Sequence, residues 1–164
     1  MSERKVFVSR PSSRNEAQEN FLEHLDDRMV RRDLRPVSLG QTDYPNRTPI
    51  QGVRQLMEQC EGAMIVGLEQ IHLRDGIEKS GTEQETEVND LSLPTPWNHI
   101  EAGMAFMLEL PMLIIREEGV ERGVFDVGSS ERYIHQATMT EEWIESPEFT
   151  QPFNSWHEEI LQQS

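Results

Sequence analysis

Short apolar runs, each too brief for a helix and each followed by a stretch of helical periodicity, constrain this chain more than any other feature. They are Lys5–Ser9 (KVFVS), Pro36–Leu39 (PVSL), Ala63–Leu68 (AMIVGL) and Pro111–Ile115 (PMLII), with Tyr133–Thr138 offering a fifth. A strand covered on both faces reads as a continuous apolar run, because neither side can carry polar residues. Between the runs the period changes. Ala17, Phe21, Leu25 and Met29 recur at i, i+4 and predict an amphipathic helix to about Asp33. Ser13-Arg14-Asn15-Glu16 gives its start the spacing of a capping box. Pro49 opens a second helix that runs to Gly62 with Val53, Leu56, Met57 and Cys60 inward, and Trp97–Leu110 is a third, apolar nearly all round. Strand–helix alternation of this kind builds a parallel sheet with helices on both faces. Five strands at this spacing predict a flavodoxin-like three-layer α/β sandwich in the order 2-1-3-4-5. The 164 residues suffice for one such domain, with no internal repeat and no second domain.

Two segments break the rhythm. Arg74–Pro94 holds Gly76, Gly81 and six acidic residues with little apolar periodicity, and reads as a mobile acidic loop (74–94) able to close over a site. Gly119–Ser130 is a second loop, Gly-rich and charged. The C-terminal segment 140–164 reads as helical in pieces, interrupted at Pro147 and Pro152. Its Phe149, Phe153, Trp156, Ile160 and Leu161 supply apolar bulk either for packing back on the domain or for self-association.

Thirty acidic residues against fifteen basic ones give a net charge of −15. A protein that grips a nucleic-acid polymer or an anionic membrane needs a broad basic face, so neither partner is expected. No run approaches the ~18 apolar residues of a membrane span, and the polar Met1–Lys5 start is unlike a signal peptide, so the expected location is cytoplasmic. A lone Cys60 cannot form an internal disulfide or a Cys-based zinc cluster, and a buried structural thiol is favoured over a nucleophile. The five histidines are scattered and no Gly-rich phosphate loop is present, so neither a metal nor a resident cofactor is expected.

In doubly wound sheets, ligands bind beyond the carboxyl ends of the strands, where the winding reverses. The segments to search are Ser9–Ser13, Gly40–Pro45, Glu69–Leu73, Pro94–Glu101 and Arg116–Gly119. The strongest signal is Thr95–Ala105 (TPWNHIEAGMA), in which Thr95 caps a helix, Pro96 begins it, and Trp97, Glu101, Met104 and Leu108 share one face. A carboxylate among apolar neighbours one turn inside a helix suits contact with a ribose hydroxyl, or with positive charge developing at an anomeric carbon. It equally suits a surface Glu that complements the helix dipole. Arg10 and Ser12 at the first helix are candidates to hold phosphate, or parts of a simple cap. Asp43 could meet a ribose hydroxyl and Tyr44 stack on a base, or both could serve an ordinary turn. Gln70, Trp97, Asn98 and Arg116 complete the candidate binding set. His72 lacks a partner in sequence, and His99 points to a different face from Glu101.

Trp97 and Glu101 have the W-x-x-x-E spacing that resembles the catalytic helix of TIR-domain NAD-cleaving enzymes, with Thr95 where those often carry Ser and Asn98 where they often carry Cys. Glu101-Ala102-Gly103-Met104-Ala105 followed by Leu110–Ile115 is similar to nucleoside 2-deoxyribosyltransferases, which carry E-x-G-x-A before a turn and a hydrophobic strand. The resemblance covers roughly Lys5–Glu118. It implies a flavodoxin-like domain that binds a nucleotide or nucleoside and cleaves an N-glycosidic bond through Glu101. NAD is the first substrate it implies, and homo-oligomerisation is expected with it. The transferases usually carry an Asp and a Gly-Thr ahead of the Glu, where this chain has Thr95-Pro96-Trp97-Asn98. Base exchange is therefore less expected than cleavage or binding. The alternatives are a non-catalytic nucleotide sensor, a TIR-like adaptor that works only by assembly, and a deoxyribosyltransferase.

Overall fold

Each continuous apolar run is a strand. The computed structural model describes residues 3–12, 14–40, 48–129 and 132–163. Strands β1 (Arg4–Ser9), β2 (Leu34–Val37), β3 (Gly62–Gly67), β6 (Met112–Glu117) and β7 (Ile134–Ala137) form one sheet in the order β2-β1-β3-β6-β7. Every pairing is parallel, as in Val6↔Gly62, Ile65↔Ile114 and Ile115↔His135. Five parallel strands with helices on both sides make a flavodoxin-like three-layer fold, in the spatial order expected. The second strand starts earlier than its apolar run, leaving Ser38 and Leu39 beyond its end. Pro36 is tolerated there because β2 is an edge strand.

The alternation of strand side chains sorts the core into two slabs. Val6, Val8, Met64, Val66, Leu113 and Ile115 face helices α1 (Glu16–Val30), α4 (Glu141–Glu145) and α5 (Pro147–Gln162). Phe7, Ala63, Ile65, Met112 and Ile114 face α2 (Pro49–Met57) and α3 (Pro96–Met107). The cap of α1 differs from the expected one. Asn15 accepts from the Gln18 amide while the Gln18 side chain returns to the Asn15 amide, so the box sits two residues later than Ser13, which lies outside the described residues. That shift exposes Ala17 and buries Gln18. The C-terminal helix also differs: α5 runs unbroken through Pro152. The proline falls just beyond the first helical turn and forfeits one backbone bond, while Phe149, Phe153, Trp156 and Ile160 are buried against the sheet. Packing on the domain is therefore the role of this segment, and only Leu161 of its apolar residues is exposed.

The segment 74–94 is not a loop. Strands β4 (Ile71–Glu78) and β5 (Thr86–Leu93) pair antiparallel as a separate hairpin, in register from Ile71↔Leu93 to Glu78↔Thr86. Its turn is held by Thr82, whose hydroxyl donates to the Lys79 carbonyl at 2.7 Å, and by the Glu85 carboxylate, which accepts from the Gly81 amide at 2.6 Å. Most of the hairpin is exposed on both faces, so it has no buried side to impose a hydrophobic period. At its base, Gln70 N donates to the Leu93 carbonyl and Glu121 N to the Ser92 carbonyl, docking it to the loop that follows β6. That loop holds a 3-10 turn at Gly123–Phe125. The Phe125 ring lies over Gly67, where an added Cβ would stand 2.5 Å from the ring. Among the described residues, no helix is long and apolar enough to cross a membrane.

Candidate functional site

Winding reverses between β1 and β3, because β2 lies on one side of β1 and the sheet's later strands, β3, β6 and β7, on the other. A cleft of about 320 Å³ opens at the carboxyl ends of these strands. Arg10, Pro11 and Ser12 line it from the end of β1, Leu39 from beyond β2 and Gln70 from beyond β3. Pro49 contributes from the start of α2, and Thr95, Trp97 and Glu101 from the start of α3. Five of the residues singled out in sequence (Arg10, Ser12, Gln70, Trp97 and Glu101) thus share one cavity. Asp43 and Tyr44 lie outside the described residues.

The start of α3 is fixed by local chemistry. Thr95 takes extended geometry, its hydroxyl accepts from the Trp97 amide at 3.4 Å, and Pro96 follows with its φ preset for a helix. Asn98 is fully buried and its Nδ2 donates to Ser9 Oγ at 2.8 Å, with longer contacts to the carbonyls of Ser9 (3.3 Å) and Val66 (3.2 Å). One amide therefore pins the first turn of α3 across the ends of β1 and β3. Asn98 lies beneath the cleft rather than in its lining, a placement that helical spacing from Trp97 could not reveal.

One turn later Glu101 enters the cleft with 9% of its surface exposed. Burial pushes its carboxyl up to about 7, against the opposing pull of a hydrogen bond from the Ser9 side chain. Because Asn98 donates to Ser9 Oγ, that hydroxyl is free to direct its own proton to Glu101. Asn98 and Ser9 form a short chain of donors that ends on the Glu101 carboxylate and orients it without supplying a countercharge.

Arg10 brings its charge already engaged. Its Nη1 lies 2.9 Å from both carboxylate oxygens of Asp26, and its side chain is only 6% exposed. Burial raises the Asp26 carboxyl while the Arg10 charge pulls it down. Arg14 is likewise paired, with Glu19. One arm of Arg10, expected from sequence to hold phosphate, thus spends its hydrogen bonds inside the protein. Arg116 sits elsewhere altogether. Its Nη1 donates to the carbonyls of Val120 (3.2 Å) and Phe125 (3.1 Å), holding the loop after β6, and its guanidinium faces the β6–β7 side of the sheet. It is still within β6, so it does not reach the switch point.

Beside the cleft lies a polar cluster that the sequence did not suggest. Gln18 Nε2 donates to Glu117 at 2.9 Å and to the Glu69 carbonyl at 3.1 Å, and the Glu69 amide donates to Glu117 at 2.8 Å. The Glu69 carboxylate accepts from the Ser92 hydroxyl, which holds it below the usual range with help from His72. His72 lies between Glu69 (3.3 Å) and Asp90 (3.6 Å) at the foot of the hairpin. These residues come from four elements, and only a buried Gln on the inward face of α1 could have hinted at them. His99 turns away from the cleft, against Phe125 and the Val124 amide.

Comparison of the chain with protein-family models, with curated proteins and with solved structures found no match.

Proposed function

We propose that the cleft binds a nucleoside or nucleotide and that Glu101 acts on its N-glycosidic bond, with NAD the first substrate to test. The observation that carries this reading is a carboxyl at the switch point of the sheet, nearly buried and lining the cleft, whose burial raises it to about 7. The resemblance of Trp97, Glu101 and the E-x-G-x-A stretch to N-glycoside-cleaving enzymes supports the same role. In this mechanism the ionised carboxylate binds a ribose hydroxyl and stabilises positive charge that develops as the bond to the base breaks; the base leaves with the bonding pair, and a water molecule adds to the anomeric carbon and gives up its proton to solvent. Low local dielectric strengthens that interaction, and the Ser9 hydroxyl keeps the carboxylate aimed. Trp97 walls the mouth of the cleft and limits water. Ser12 and Gln70 supply neutral polar contacts, while Arg10 contributes field more than free donors.

At about 320 Å³ the cleft is at the small end of ligand pockets, fitting a nucleoside moiety rather than a whole dinucleotide. The reacting half of NAD would enter and the remainder stay outside. The hairpin starts and ends beside the cleft residues Gln70 and Thr95, but none of the residues of β4 or β5 lines the cleft. Incubation of the purified protein with NAD, with release of nicotinamide as readout, tests the proposal. Release by wild type and its loss in Glu101→Ala are expected; no release, or equal release by both, contradicts it. Binding of a nucleotide without turnover would favour a sensor, and exchange of bases between deoxynucleosides would favour the transferase.

A further inference from the structure

Helix α3 has two faces, and only one is explained by the cleft and the core. Asn98, Glu101, Ala102 and Ala105 are buried, whereas Ile100, Gly103, Phe106 and Met107 are exposed. Ile100, Gly103 and Met107 fall at i, i+3 and i+7 and so form one stripe, with Phe106 beside it. Phe106 is 61% and Met107 77% exposed, and Val127 on the adjoining loop is 86% exposed. From Pro96 to Met107 the only charged residue is the buried Glu101, in a chain of net charge −15. The outer side of α1 is the contrast, with Glu16, Glu23 and Asp27 all facing solvent or half-exposed, as a helix meant for water should be.

Gly103 sits in the middle of the bare stripe. A glycine inside a helix is unfavourable relative to alanine, yet a Cβ added here would meet nothing within 4 Å. Among the described residues, no contact requires the missing side chain. What a bare backbone at the centre of a helix face permits is close approach of another helix. Beside it lies a groove of about 640 Å³, formed by His99, Ala102, Gly103, Phe106, Met112 and Val124 with the loop at Gly123–Ser129. The face therefore carries both a projection, Phe106 and Met107, and a recess. That is the condition for a self-complementary, twofold interface.

We propose that two copies of this chain associate through α3, the helices crossing at Gly103 with Phe106 and Met107 of each copy seated in the groove of the other. Charge selects this surface: copies that each carry −15 repel wherever acidic faces meet, and this face, with no charge on its exposed helix side chains and Asp126 alone on the loop at Gly123–Ser129, is where they can touch at least cost. The area also fits. With side chains of roughly 200 Å² each, the exposed parts of Ile100, Phe106, Met107 and Val127 amount to roughly 500 Å², well over half of the ~800 Å² each partner gives to a standard interface. The inference stands on exposure and shape, and is independent of any activity at Glu101.

Sedimentation equilibrium over a range of protein and salt concentrations tests it, with Gly103→Leu and Met107→Glu as variants. Wild type is expected to dimerise, and more tightly as salt rises, because screening weakens the repulsion between acidic copies. Gly103→Leu fills space that is open in the monomer, so it should melt no lower than the wild-type monomer while weakening the dimer at least tenfold. Met107→Glu should do the same. A wild type that remains monomeric up to its solubility limit overturns the proposal, as does a dimer that survives both variants or one that dissociates on adding salt.

Discussion

Replacing Glu101 with Gln should stabilise the protein, and by an amount that depends on pH. The carboxyl titrates near 4.5 when free and at about 7 in the fold. Between those values the folded state holds more of this proton than the unfolded state, so stability falls as pH rises through the window. Below about pH 4.5 the group is protonated in both states and contributes no penalty. Above pH 7 the full cost is present, and at about 1.4 kcal/mol per pH unit the interval corresponds to roughly 3 kcal/mol. Gln keeps the shape and can still accept from Ser9, but it never ionises. Urea unfolding of wild type and Glu101→Gln at a series of pH values is the assay. The two should unfold alike near pH 4.5, and the variant should be more stable by roughly 2–3 kcal/mol near pH 8. A constant difference between them, or a variant that is less stable at high pH, would refute burial as the cause of the raised carboxyl. A gain in stability accompanied by loss of function is the usual signature of a residue kept for its chemistry.

Three further outcomes follow from the packing. Asn98→Ala removes the donor that ties α3 to β1 and β3, and should cost about 2–4 kcal/mol by chemical denaturation; a cost below about 0.5 kcal/mol would show that the tie is incidental. Gly67→Ala forces a methyl into the Phe125 ring and should cost about 1–3 kcal/mol, whereas Gly103→Ala, over open space, should be neutral or stabilising in the monomer. Cys60 lies just past the end of α2, buried, with its thiol pushed up to about 12 and its Sγ donating to the Leu56 carbonyl at 3.2 Å. A thiol reagent at neutral pH should leave it unmodified until the protein is unfolded, and rapid labelling of the native state would contradict its structural role.

Strands were the legible part of the sequence, since β3 and β6 are covered on both sides and their composition has no freedom to be anything but apolar. The hairpin was illegible for the converse reason. Exposed on both faces, β4 and β5 are held by backbone pairing, and side chains such as Asp75 and Glu87 record only that water is near. Pro152 misled because a local rule about helices was overridden by four large side chains reaching the core. Helical spacing places Trp97 and Glu101 on one face, and both line the cleft, whereas Asn98 is fully buried and absent from the lining. The sequence offers Arg10 as a candidate for phosphate, but its pairing with Asp26, three helical turns into α1, is tertiary and leaves no local signal. Arg116 failed for a similar reason: the sequence says that it ends a strand, but not that the loop after β6 turns back to take its hydrogen bonds.

The pH dependence of nicotinamide release from NAD, followed for wild type and Glu101→Gln from about pH 5 to about pH 9, tests the proposed role of Glu101 most directly. If the ionised carboxylate does the chemistry, the wild-type rate climbs with pH to a plateau, with its midpoint at about 7 in the free protein. Glu101→Gln stays at background throughout. A wild-type profile that is flat or falls across this range, or one that the Gln variant reproduces, would show that Glu101 is not the group that acts on the bond.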